Sequence, residues 1–155
     1  MISPEILYRY PFFGGLDDAQ IKAIALIAQE ENLASGVTIF HEGQRAESLY
    51  FLVDGSVALY YMGGGTILEK YKEGIPVDDI NPGEPFGFSA LIEPCIYTST
   101  ARATKPCREI KFGSEALKTL FNLDQRLAYL LTLKAAQAAV ARLSTTRMHL
   151  AAAWA

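Results

Sequence analysis

The hydrophobic period of this chain changes twice, and that change constrains its fold more than any single motif. From Val37 to Phe112, short runs rich in β-branched and aromatic residues (VTIF, SLYFLV, SVALYYM, TILEKY) are separated by HEGQRAE, DG and GGG. Runs of this length and spacing read as strands joined by turns. Asp54-Gly55 predicts a tight hairpin, because both central positions of such a turn favour positive φ. Gly63-Gly64-Gly65 predicts a second hairpin. It does not read as a phosphate loop, since no lysine follows at the required spacing and no helix opens after it. Many short strands at near-even spacing predict a small antiparallel barrel or roll.

On both sides of this region the period is helical. Ser3-Pro4-Glu5 reads as an N-cap followed by proline at the first helical position, opening a short helix through about Tyr10. Asp17 caps a second helix whose apolar positions Ile21, Ile24, Ala25 and Ala28 recur at helical spacing, fading near Glu31. Ser114 caps a short helix, EALKTLF, and Asp124 a long one running to about Ala153. The expected fold class is therefore α+β. An antiparallel, jelly-roll-like β-roll (a double-stranded β-helix) spans 36–112. N-terminal helices occupy 1–31 and C-terminal helices 114–153, and residues 1–155 form a single domain.

Charge and composition exclude several functions. The chain has 155 residues, 50% of them hydrophobic and 20% charged, enough for a packed core without staples. Its net charge of −3 lacks the basic excess of a nucleic-acid footprint. Cys95 and Cys107 are too few for a disulfide framework and lack metal-ligand spacing. His41, His149 and Met148 likewise show no ligand pattern, so neither haem nor another metal is expected. No acid pair or nucleophile–base set points to an enzyme. There is no apolar run of membrane-spanning length, and MISPEILYRY lacks the features of a signal peptide, so the expected compartment is the cytoplasm.

The stretch LASGVTIFHEGQRAESLYFLVDGSVALYY, with Gly36, Gly43 and Gly55, followed by INPGEPFG with Gly83 and Gly87, resembles the cyclic-nucleotide-binding domain of catabolite-activator-type regulators and of cyclic-nucleotide-gated kinases and channels. The resemblance covers nearly the whole chain. It implies a ligand loop at Phe86, Gly87, Phe88, Ser89 and Ala90, closed by Tyr97, Thr98 and Ser99. Gly87 precedes a helical turn whose free amides favour a phosphate. In the family this loop carries a Glu for the ribose hydroxyl and an Arg for the cyclic phosphate. Here the Glu position is Phe88 and the Arg position is Tyr97, while Thr98 keeps a hydroxyl. Arg102, the nearest cation in sequence, alternates onto the opposite strand face. Losing both anchors removes charge-assisted bonds of roughly 1.5–3 kcal/mol each, so a cyclic nucleotide is disfavoured as the bound cofactor.

Three readings of the pocket stay open. Phe88 and Tyr97 fill it and leave it silent, which they favour. Alternatively they convert it for a flatter, more apolar ligand, with Tyr97 supplying a polar contact. Retained Gly87 and Thr98 leave weak cyclic-nucleotide binding as the third.

The last helix carries a seam at Leu133, Ala136, Val140, Leu143, Arg147, Leu150 and Trp154, spaced by three and four residues. This predicts a homodimer through that helix, as the resemblance also implies; the alternative is that the stripe packs back on the roll. The basic residues Arg126, Lys134, Arg142 and Arg147 read as a solvated face. No residues remain for a helix-turn-helix unit, so direct nucleic-acid binding is not expected. The expected function is a small-molecule-sensing regulatory domain with a possible effector. A constitutive dimer with a closed pocket, and a regulatory domain severed from a larger protein, are the alternatives.

Overall fold

The computed structural model describes residues 1–63 and 72–155. TILEKY and most of the triple glycine lie outside the described residues. Helix α1 spans Pro4–Tyr8, a 3-10 turn Pro11–Phe13, and α2 Asp18–Ile27. Strands follow at Ala28–Leu33 (β1), Thr38–Phe40 (β2), Ser48–Asp54 (β3), Val57–Tyr61 (β4), Ile75–Ile80 (β5), Pro85–Phe86 (β6), Thr100–Ala103 (β7) and Cys107–Gly113 (β8). A second 3-10 turn, Phe88–Leu91, separates β6 from β7, and α3 (Ser114–Leu123) and α4 (Gln125–Ala153) close the chain. The strands form two four-stranded antiparallel sheets, β1-β8-β3-β6 and β2-β7-β4-β5.

Several sequence expectations hold. Asp17 caps α2 through a reciprocal box with Gln20. Asp124 caps α4 by accepting from the Leu127 amide at 3.0 Å. Three expectations are corrected. The second helix ends at Ile27, and Ala28–Leu33 leaves it as β1, paired along its length with β8. Gly113, not Ser114, is the N-cap of α3. Asp54-Gly55 turns the chain, with Gly55 at φ 99°, but it does not make a hairpin. β3 pairs with β8 and β6 while β4 pairs with β5 and β7, so this turn is the corner between sheets. A Cβ at Gly55 would meet the Pro106 carbonyl oxygen at 2.5 Å, which is why the corner requires glycine.

β3 is buried along SLYFLV because the sheet is covered on both faces. Phe51 meets Tyr10, Phe12 and Phe13 on the helical side, with ring centroids 4.8, 5.7 and 5.1 Å away. Tyr50, on the opposite face, stacks with Phe86 at 5.2 Å and lies tilted against Phe40 of the other sheet at 5.7 Å. This inner aromatic cluster is the floor on which the candidate site is built.

Candidate functional site

Gly87 sits in the left-handed region, φ 76° and ψ 36°, as the N-cap of the Phe88–Leu91 turn. A Cβ there would lie 3.1 Å from Tyr50 Cδ2 and 3.4 Å from Phe40 Cε2. The close approach that demands glycine is therefore made by the inner aromatics. Gly87→Ala is expected to cost about 1–3 kcal/mol from the strained φ and the displaced ring. Urea denaturation checks this, and an unchanged midpoint would count against it. The turn is a single four-residue 3-10 segment, and its Ala90 amide already donates to the Gly87 carbonyl at 3.2 Å. The cradle of free amides is thus smaller than the sequence implies.

Tyr97 is held from both ends. Its amide donates to the Gln44 carbonyl and its own carbonyl accepts from the Gly43 amide, both at 2.9 Å. Its ring stacks on Phe40 at 3.8 Å. Its hydroxyl donates to the Ser48 carbonyl at 2.6 Å and accepts from the Ser48 amide at 3.3 Å. Burial pushes the hydroxyl pKa up, so it stays a neutral donor. The expectation that Tyr97 offers a ligand a polar contact is corrected: its hydroxyl is spent on β3, and the ring alone is left for the site.

The two aromatics do not fill the space between them. A hollow of about 260 Å³ remains, lined on the roll side by Gly87, Phe88, Ser89, Tyr97, Thr98 and Ser99, with Phe40 and Leu59 behind them. Its other wall is α4, through Ala139, Arg142, Leu143 and Thr146. Six of the eight predicted loop residues therefore converge on one cavity. The other two do not: Phe86 and Ala90 are buried in the core, 0% and 2% exposed. A broader depression of about 600 Å³ adjoins it beyond Tyr97 and Thr98, lined by His41, Glu42, Gly43, Tyr61, Met62 and Thr100.

Arg142 is the candidate site residue that the sequence does not reveal. Its side chain is only 15% exposed, so it does not belong to a solvated basic face. Nε pairs with Asp78 Oδ2 of β5 at 3.1 Å, and Nη2 donates to the Pro85 carbonyl at 2.8 Å. The guanidinium lies over the Phe88 ring, 4.9 Å from its centroid. A signal existed in the spacing: Leu127, Leu131 and Ala135 are the buried residues of α4, and the same face carried onward reaches Ala139 and Arg142. Arg102, by contrast, lies over Tyr60 and pairs with Glu73 at 3.3 Å, away from the hollow.

The helix packs on the roll with this face and not with the predicted seam. Leu133, Ala136, Val140, Leu143, Arg147, Leu150 and Trp154 are all exposed, Val140 at 66% and Trp154 at 85%. The stripe as a whole is therefore not packed back on the roll, although Leu143 reaches the wall of the hollow. Among the described residues, no group of three or more His, Cys, Asp or Glu side chains is placed to hold a metal ion. Among the described residues, no helix is long and apolar enough to cross a membrane.

A β-roll of two four-stranded sheets, with a small hollow between the Gly87–Ser89 turn and a long C-terminal helix, is the architecture of this domain. The chain belongs to the cyclic nucleotide-binding domain family, whose model matches residues 30–124. It is similar to a protein from Geobacter metallireducens described as a cyclic nucleotide-binding protein. That crystal structure is 40% identical, covers 92% of this chain and 99% of its own, and superposes with a TM-score of 0.80. It also resembles the cAMP-dependent protein kinase regulatory subunit of Yarrowia lipolytica, 30% identical over 61% of this chain and 22% of that protein. A CRP-like cAMP-activated global transcriptional regulator of Mycobacterium tuberculosis is 26% identical over 74% of this chain and 49% of its own length. The chain thus spans half or less of these curated relatives.

Proposed function

We propose that this chain is a small-molecule-sensing regulatory domain in which the occupant of the hollow acts on α4. One observation carries this reading: the hollow has the roll as one wall and α4 as the other. A molecule between Ser89, Ser99 and Leu143 touches both and changes how tightly the helix is held. With Phe88 and Tyr97 at the anchoring positions, and the Tyr97 hydroxyl committed to Ser48, cyclic nucleotides bind weakly. The exposed stripe from Leu133 to Trp154 supports a homodimer through α4, which would carry a change in the helix to a partner subunit. The regulatory roles of the curated relatives support a role of the same kind here.

The bonds from Tyr97 to Ser48 and from Arg142 to Asp78 and Pro85 favour a second reading, a permanently closed domain, because they hold both walls in place without an occupant. Calorimetry with cyclic AMP and cyclic GMP, followed by amide exchange along α4 and sedimentation equilibrium, separates the two. The expected result is no micromolar cyclic-nucleotide binding, a dimer, and slower exchange around 139–146 with any ligand that binds. Micromolar cyclic-nucleotide affinity would overturn the weakened-anchor reading. A bound ligand that left α4 exchange unchanged would overturn sensing.

A further inference from the structure

We infer that the hollow takes a small organic carboxylate with an aromatic or branched apolar body, anchored by Arg142. The inference rests on reading the hollow as a ligand site, and it names the ligand class. Arg142 is the single formally charged side chain among the described residues of its wall. Two bonds fix its guanidinium: Nε to Asp78 and Nη2 to the Pro85 carbonyl. No hydrogen bond engages Nη1 among the described residues, and a fork whose geometry is already set loses little freedom on binding.

Burial lowers the Arg142 pKa, and Asp78 and Glu84 oppose that shift, so the guanidinium stays a charged donor. Ser89, Thr98 and Ser99, residues whose hydroxyls can donate to the remaining lone pairs of a carboxylate, line the same space. The rest of the wall is apolar: Phe40, Leu59, Phe88, Ala139 and Leu143. A hollow of about 260 Å³ lies just below the usual span of roughly 300–1,000 Å³ for drug-sized ligands. The lining therefore suits a small ligand with one charged end and an apolar body. Asp78 keeps the guanidinium electrically compensated, so the anion shares it and does not meet a bare cation.

The test titrates the full chain with phenylacetate and with its neutral isostere phenylacetamide, by calorimetry and by amide chemical shifts of Ser89, Ser99 and Leu143. Phenylacetate is expected to bind roughly 10-fold or more tightly than the amide, the size of one charge-assisted bond. Arg142→Gln erases that preference and Arg142→Lys retains part of it. The acid–amide comparison in the unaltered protein decides the matter even where a variant folds poorly. Equal affinity for acid and amide, or binding of the amide alone, overturns the carboxylate inference and leaves the hollow standing as a ligand site. Silence of all three amides toward both compounds and toward cyclic nucleotides overturns the carboxylate inference and the site reading together.

Discussion

Glu109→Gln is expected to abolish a fall in stability that the wild-type chain shows between about pH 5 and pH 8. Glu109 sits in β8, the strand between β1 and β3, with Glu31 and Leu52 as its cross-strand neighbours. It is 0% exposed, and neither carboxyl oxygen has a hydrogen-bond partner among the described residues. Burial above all, with the nearby Glu31 carboxylate, raises its pKa from the ordinary 4.5 to about 8, against a smaller opposing pull from Lys111. Lys111 is itself engaged with Glu31 at 3.1 Å.

The sign follows from proton counting. Between pH 4.5 and about 8 the folded chain keeps this proton while the unfolded chain has released it, so stability falls as pH rises. At about 1.4 kcal/mol per pH unit the loss is on the order of 4 kcal/mol across pH 5–8. Glutamine has the shape of the protonated acid and does not titrate. The two proteins should be matched near pH 5, and the variant more stable at pH 8. Urea denaturation at each pH reads the difference, in which all other titrating groups cancel. Parallel slopes would show that Glu109 is ionised in the folded chain.

The second large effect concerns the bond that ties α4 to β5. Arg142→Met alone is expected to cost about 3 kcal/mol or more, because it leaves Asp78, whose side chain is 11% exposed, as a buried carboxylate without its counter-ion. The pair is not a net gain of the same size. Burial raises the Asp78 pKa and lowers that of Arg142 even with the two in contact, so desolvation outweighs their attraction. The double variant Arg142→Met with Asp78→Ala should therefore return to within about 1 kcal/mol of wild type. A double-mutant cycle in urea measures this coupling. Additive losses would mean that each side chain acts through its other contacts, Arg142 on Pro85 and Phe88, and Asp78 on the Asp79 amide.

Legibility in the sequence followed how local each decision is. The caps at Asp17 and Asp124 were readable because an acceptor one turn from a free amide is a matter of a few residues. SLYFLV was readable as a strand, being apolar on both faces. β1 and β5 were not. AQEENL carries polar residues over most of its length, and IPVDDI holds a proline and two aspartates, so neither shows clean alternation. Each becomes a strand through its neighbour, β1 along β8 and β5 along β4. The Asp54-Gly55 turn was visible, but the sheet that each flanking strand joins was not.

The same division runs through the site. The sequence alone determined the roll and its flanking helices, since these depend on residue type and short spacing. Only the tertiary structure decided that the Tyr97 hydroxyl turns to Ser48, that a hollow survives beside Phe88, and that Arg142 closes it. Arg142 lies in α4 and Asp78 in β5, so their meeting depends on which face of a long helix lies on the roll. That choice is made by the sum of many burials along Leu127, Leu131 and Ala135, none of which names its partner in the chain.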